Sequence, residues 1–267
     1  MTDFQKVIKY LANIFAVFLI IMIIGGILKV VAVFGFITNR ESPVGENKSY
    51  SLSQNIENLD IEINAAKFDI KEGSSLSLES NLKNLTVNEK GENLIIKDTK
   101  KFLKTYNNAY ITLYVPKNFD FSTVDISTGA GAFNVDKLSC DKLNLNLGAG
   151  SVRISSLLVS DKAKIEGGAG EIKIDSGEIS NLDFDMGVGQ ITLTSKLSGR
   201  NELNFGVGEA KINLIGSASD YRIDFDKGIG EGKLMGEKMT DNKIYGSGET
   251  KIEIDGGVGN VDISFTN

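Results

Sequence analysis

Histidine and tryptophan are both absent from this chain of 267 residues, which also has only 2 prolines and one cysteine. Without histidine, it lacks the commonest general base, the commonest transition-metal ligand and the usual pH switch. The single cysteine, Cys140, excludes an internal disulfide. Since no histidine can activate its thiol, we expect Cys140 to be buried and inert rather than reactive. The net charge of −6 argues against nucleic-acid binding, which requires a basic surface.

A long apolar run near the N-terminus predicts one transmembrane helix. The 18 residues Leu11–Leu28 include Asn13 as their only strongly polar member, and a helix of that length spans about 27 Å, close to a hydrocarbon core. Apolar residues resume after Lys29, so we assign residues 11–37 to the helix and an interfacial extension. Residues 1–10 then form a short N-terminal segment.

A cleaved signal peptide is the alternative reading of this run. The run is longer than a usual signal-peptide core, and no small-x-small cleavage site follows it. Lys6 and Lys9 precede the run and Arg40 follows it, a bias that weakly favours a cytoplasmic N-terminus. We therefore expect a single-pass protein of the cytoplasmic membrane, with a linker at residues 38–51 and an extracytoplasmic domain at residues 52–267.

An internal repeat is the strongest signal in the sequence, which contains 29 glycines. Gly-x-Gly recurs, and its first five copies are 19, 20, 19 and 19 residues apart. A period near 20 in a β pattern predicts stacked coils that depend on their neighbours for burial. The glycine pairs are Gly129/Gly131, Gly148/Gly150, Gly168/Gly170, Gly187/Gly189, Gly206/Gly208, Gly228/Gly230 and Gly257/Gly259.

The residues around each pair predict strands that bend at the glycines. Apolar side chains alternate before the pair, as at Leu143, Leu145 and Leu147, and alternation resumes one residue out of phase at Val152. Such a slip would turn later side chains to the wrong face, so we interpret the glycines as structural corners with positive φ or close backbone approach. The residue between the glycines continues the alternation, which predicts that it faces the core. These residues are Ala130, Ala149, Ala169, Val188, Val207, Ile229 and Val258.

We therefore predict a mainly β fold, a single β-solenoid of coils of about 19–20 residues, preceded by one transmembrane α-helix. Leu59, Ile61 and Phe68 follow the same alternation without glycines, so the solenoid should start near Ile56. The spacing breaks after Gly230, and residues 235–248 read as a longer loop or an extra half-coil.

Charged residues form columns in the predicted stack. The strand before each corner points two acidic columns outward, and the strand after it points out a mostly basic one. A solvated surface explains these charges, and a weak cation or partner site is the alternative. The possible cation or partner surface comprises Asp183, Asp185, Glu202, Asp224 and Asp226. The basic column comprises Asn134, Arg153, Lys173, Thr192, Lys211, Lys233 and Asp262.

The glycine pairs match two known ligand motifs only in part. None completes Gly-x-Gly-x-x-Gly before a helix, so they do not indicate nucleotide binding. Gly167-Gly168-Ala169-Gly170 is similar to a calcium-binding nonapeptide, but Ile172 stands where that repeat needs aspartate, and the period is wrong. We expect neither a cofactor nor a bound metal.

The repeat resembles a known family. The pattern around Gly129-Ala130-Gly131, preceded by Val124-Asp125-Ile126, is similar to that of the bacterial "putative adhesin" β-strand-repeat proteins, which are related to toastrack-type envelope domains. The resemblance covers residues 50–267. It implies a membrane-tethered surface module of unknown function, associated with adhesion or envelope-stress systems, and it implies no catalytic residues.

Two classes of function remain at this point. The first is a non-enzymatic ectodomain that binds an envelope polymer or a protein partner. The second is a polysaccharide-active β-helix enzyme, which requires a convergent group of acidic residues with calcium or a basic residue. The chain has four arginines, at Arg40, Arg153, Arg200 and Arg222, and no such group is visible in the sequence. We therefore expect the protein not to be an enzyme.

Overall fold

The computed structural model describes residues 44–98 and 108–266 of the chain. The expected N-terminal segment 1–10 and transmembrane helix 11–37 lie outside these residues. Within the described residues, no helix is long and apolar enough to cross a membrane. The fold of the described part is mainly β, as predicted.

The described strands join in one open 19-stranded sheet. In chain order they are β1 Val44–Ser51, β2 Asn58–Ala65, β3 Lys67–Gly73, β4 Ser77–Leu82, β5 Leu85–Lys90, β6 Asn93–Asp98, β7 Tyr110–Pro116, β8 Phe121–Val135, β9 Leu138–Ile154, β10 Leu157–Ile174, β11 Gly177–Ser180, β12 Leu182–Ser198, β13 Arg200–Ile215, β14 Tyr221–Asp226, β15 Ile229–Leu234, β16 Glu237–Lys238, β17 Lys243–Gly246, β18 Thr250–Asp255 and β19 Val258–Thr266. A 3-10 helix, Ala218–Asp220, precedes β14.

The long central strands stack in parallel and in the register that the repeat predicts. β8, β9, β10, β12 and β13 each pair with the next, and the glycine pairs align from strand to strand. Leu145 of β9, for example, lies between Ile126 of β8 and Ile165 of β10, and all three are fully buried. Stacking therefore places like residues over like, and the inward apolar columns form the core. This arrangement is consistent with the predicted solenoid.

Both ends of the stack depart from chain order. At the C-terminal end, β18 and β19 lie between β13 and the pair β14/β15, although β14 and β15 come first in the chain. At the N-terminal end, β2 and β3 pair with β8, while β6 and β7 lie one layer further out. The strand that follows Ile56 belongs to this stack, because Leu59 and Ile61 pair with Val124 and Ile126.

Antiparallel strands cover the two outermost layers. β17 pairs with β14 and β16 with β15, so residues 235–248 contain two short capping strands, and the side chain of Met239 is buried there. At the other end, β5 pairs with β6, and β4 pairs with both β7 and β1. The sheet starts at Val44, so the second half of the expected linker at residues 38–51 is an edge strand.

One prediction about the corners is wrong. The residues between the glycines are not in the core: Ala130, Ala149 and Ala169 are exposed, while Val188 and Val207 are half-buried. The chain leaves the core at the first glycine of each pair and returns two residues after the second, so Leu147 and Val152 are the inward residues on either side. The alternation therefore slips before the central residue rather than after it.

Candidate functional site

Cys140 is a core residue with an almost completely buried side chain. It is 4% exposed and unpaired, as expected from the sequence. Burial in the apolar core, with smaller contributions from the charges of Asp141 and Asp120, raises the pKa of its thiol to about 12. A thiol with that pKa is not a nucleophile near neutral pH.

The glycine pairs are structural corners of two kinds. The first glycine is required by close approach, since a Cβ on Gly148 would lie 2.1 Å from the carbonyl oxygen of Gly129. The second also has a backbone that other residues avoid, as at Gly150, where φ is +147°. Positive φ at the second glycine recurs at Gly131, Gly170, Gly189, Gly208 and Gly259. The corners thus shape the backbone, and their main-chain oxygens are covered by the next layer.

Gly228 and Gly230 reverse this division of roles. Here the first glycine has positive φ, at +56°, while the second is required by contact, since a Cβ on Gly230 would lie 1.6 Å from the carbonyl oxygen of Gly259. This layer is the outermost of the parallel stack, and it lies against β19 rather than β13. The strand therefore also bends at this glycine pair, although the glycine with positive φ is the first of the two.

The acidic columns expected from the sequence are present, in a different order. Register pairs Asp183 with Glu202, Glu202 with Glu253, and Glu253 with Asp224. In the second acidic column, Asp255 of β18 lies in register with Asp226 of β14. All the residues of the expected surface, Asp183, Asp185, Glu202, Asp224 and Asp226, therefore lie on one face of the sheet.

Neighbouring side chains form hydrogen bonds or ion pairs with some carboxylates of this acidic face. Asn204 donates to Asp185 at 2.9 Å, and the Nη2 of Arg200 lies 2.8 Å from the Oε1 of Glu253. Towards the N-terminal end, Lys164 pairs with Glu166 at 2.7 Å. Within the described part of the chain, no group of three or more acidic or cysteine side chains is placed to hold a metal ion. The carboxylates of the face are arranged as a ladder, one from each layer in each column.

A second set of basic residues, which the sequence analysis did not identify, borders the acidic face before the corners. Lys251 pairs in register with both Arg200 and Arg222, two positions before the carboxylates on the same strands. Arg200 and Glu253 are 53 residues apart in the chain, so only the inserted strand β18 brings them together. The alternating pattern within each strand does place these residues on the outer face, but it does not say which layers are neighbours.

The column after the corners also changes order. Asp262 of β19 lies between Lys211 and Lys233, where chain order had put it at the end. Towards the N-terminal end the column extends to Asp69, which pairs in register with Asn134. The sequence could have placed Asp69 there, because it lies between the inward residues Phe68 and Ile70.

Asp69 is the most strongly partnered carboxylate on this column. Its side chain is only 6% exposed, the Nζ of Lys67 lies 2.8 Å from one carboxylate oxygen, and Asn134 donates to the other at 2.8 Å. The Nζ of Lys71 is 3.8 Å away. Burial alone would raise the pKa of Asp69, but these hydrogen bonds and lysine charges outweigh it and hold the pKa below its ordinary value of 3.8. The cluster joins β3 to β8 and is fully satisfied, so it stabilises the fold.

Comparisons with known proteins support the family that the repeat resembles. The family model described as Toastrack DUF4097 matches residues 51–264. No curated protein matches the chain. Among solved structures, a "putative cell adhesion protein" from Clostridium sporogenes is 16% identical with a TM-score of 0.37, covering 83% of this chain and 99% of that one. A "putative adhesin" from Bacteroides fragilis is 17% identical with a TM-score of 0.39, covering 82% and 96%.

Proposed function

Because this chain belongs to the Toastrack DUF4097 family, we propose that it is a non-enzymatic interaction module of the bacterial cell envelope, anchored in the cytoplasmic membrane by one helix. The observation that carries the proposal is the set of outward columns. They repeat the same kind of side chain from layer to layer on a rigid parallel stack, a form that suits binding an extended partner. The partner would be an envelope polymer or another protein, and nucleic acid is disfavoured by the net charge of −6.

The proposed location in the membrane rests on the apolar run near the N-terminus. Leu11–Leu28 is long enough to span the membrane, and we place the N-terminus inside the cell with the β domain outside it. A role as an accessory in envelope-stress signalling belongs to the same proposal, since a tethered sensor needs a binding surface outside the membrane and no catalytic group. The inert Cys140 is in keeping with a non-enzymatic role.

Protease accessibility tests the proposed topology. Protease added to intact spheroplasts should release a fragment extending from the region before β1 to the C-terminus, because we place the β domain outside. A tag at the N-terminus should stay protected until the membrane is lysed. If the β domain is protected and the tag is cleaved, the proposed orientation is wrong. Recovery of the intact chain in the soluble fraction after lysis would instead refute the anchor.

A further inference from the structure

Four aliphatic side chains form a continuous exposed line at the corners of the C-terminal layers. Val188, Val207, Val258 and Ile229 are paired in that order by the register of β12, β13, β19 and β15. Val258 is 39% exposed and Ile229 is 45% exposed, while the other two are half-buried. We call these four residues the corner strip. A line of apolar side chains that reaches solvent in four successive layers is a candidate interaction surface.

The fold does not require large side chains in the corner strip. The same column continues through Ala169, Ala149 and Ala130, so alanine satisfies the corner geometry in neighbouring layers. The flanking glycines are fixed by main-chain contacts; a Cβ on Gly206 would lie 2.2 Å from the carbonyl oxygen of Gly187. The strip therefore stands between two lines of bare backbone, which leaves space for a partner's side chains on both sides.

A row of carboxylates lies along one side of the corner strip, and the column that contains Lys211 and Lys233 borders the other side. Asp185, Asp255 and Asp226 each lie three residues before a strip residue, and Glu209 lies two residues after Val207. Within the described residues, none of these four is in an ion pair with lysine or arginine. A partner with an apolar line and a basic row along one side of it is complementary to this surface.

We propose that the corner strip binds a basic amphipathic helix of a protein or peptide partner. The proposal rests on the interaction role proposed above, but not on the membrane anchor. Neighbouring layers are about 4.8 Å apart and one helical turn rises about 5.4 Å, so apolar residues at i, i+3 or i+4, and i+7 can follow the strip with a small mismatch. Lysine or arginine on one side of that apolar line would meet the carboxylates of Asp185, Asp255 and Asp226.

A designed peptide tests this proposal on the full-length chain held in nanodiscs of zwitterionic lipid, with empty nanodiscs as the blank. The probe is a fluorescent leucine–lysine peptide with an apolar period of 3.6, compared with a scrambled peptide of the same composition. We expect the chain to bind the amphipathic peptide and not the scrambled one, with affinity that falls as salt rises. Replacing Val207→Ala together with Val258→Ala should weaken binding about tenfold.

The controls separate the strip from other exposed surface. The alanine pair copies the residues of neighbouring layers, so the fold should tolerate it, and Ile244→Ala removes an exposed apolar side chain outside the strip without an effect on binding. Equal binding of both peptides, no binding of either, or no effect of the alanine pair would overturn the proposal. So would a dimer of the chain that the alanine pair abolishes, since a second copy would then occupy the strip. Loss of the chain from the nanodiscs would instead count against the proposed anchor.

Discussion

At the scale of single residues, the sequence predicts which glycines form the corners, but not whether the residue between them is buried or exposed. Positive φ and close approach both occur at the corners, as at Gly150, because stacked layers bring carbonyl oxygens within reach of any Cβ. The position of Ala149 could not be derived, since simple alternation assumes a strand that is straight up to the slip. Gly148 already turns the chain out of the core, so an aliphatic residue that reads as buried is exposed.

Asp69 gives a prediction about acid stability. Its pKa is lowered in the folded state, so the stability it adds is fully present above its unfolded value of 3.8 and is lost as pH falls through the folded value. At pH 7, Asp69→Asn should lower the free energy of unfolding by about 1.5–3 kcal/mol, the range for hydrogen bonds to a charged group. As the pH falls below 3.8 and Asp69 becomes protonated, the difference from the native chain should shrink, as chemical denaturation over a pH series would measure.

The matched control for this prediction is Asp125→Asn. Asp125 is exposed and accepts one hydrogen bond from Asn144 at 3.2 Å, so its replacement should change stability by no more than about 0.5 kcal/mol at any pH. Equal effects of the two substitutions at pH 7, or an Asp69→Asn effect that stays constant as Asp69 becomes protonated, would show that the hydrogen bonds and lysine charges around Asp69 do not stabilise the fold.

At the scale of strands and layers, the repeat predicts register well and layer order poorly. The alignment of Leu59 with Val124 across the first layers follows from alternation alone, because a slip of one residue would expose the apolar side. The insertion of β18 and β19 beside β13 could not be predicted. β14/β15 and β18/β19 carry the same pattern, so either pair satisfies the inward columns of β13, and local sequence does not choose between them.

Cysteine pairs can test the layer order. Asn204 of β13 is in register with Asp255 of β18, and Asp255 is in register with Asp226 of β14. Adjacent strands lie about 4.8 Å apart, so Asn204→Cys with Asp255→Cys should form a disulfide on mild oxidation. Asn204→Cys with Asp226→Cys spans two layers, about 9.6 Å, and should not. Electrophoresis without reductant measures both, and Cys140 does not compete because it is buried.

The second pair is also the control for the first. If β14 followed β13 directly, as chain order suggests, the pair at 204 and 226 would close and the pair at 204 and 255 would stay reduced. That outcome would contradict the inserted layer and, with it, the ion pair between Arg200 and Glu253 and the sequence of residues in the corner strip. The measurement therefore bears on the charged face as well as on the topology.

At the scale of the whole molecule, composition and repeat are enough to predict the β class, the stack and the acidic face. They do not predict which side chains pair with the carboxylates of that face. Glu253 is paired with Arg200, which is 53 residues away in the chain, and Asp185 accepts a hydrogen bond from the neutral amide of Asn204. The carboxylates of the face thus form a ladder of partly paired groups. Such a ladder attracts cationic partners in a salt-dependent way without holding any one ion.

The last prediction follows from that distinction and concerns calcium. Calcium takes six to eight oxygen ligands at about 2.3–2.6 Å, whereas carboxylates on a flat sheet are separated by the strand spacing of about 4.8 Å and point away from the surface. The melting temperature of the chain should therefore not rise with added calcium. A variant in which Asp183, Asp185, Asp224 and Asp226 all become Asn should melt within a few degrees of the native chain, since surface substitutions each change stability by about 0.5 kcal/mol or less. A ligand that binds only the folded state must raise the melting temperature by mass action. A clear rise with calcium that disappears in the quadruple variant would show that these carboxylates converge on an ion, and the face would then be a metal site.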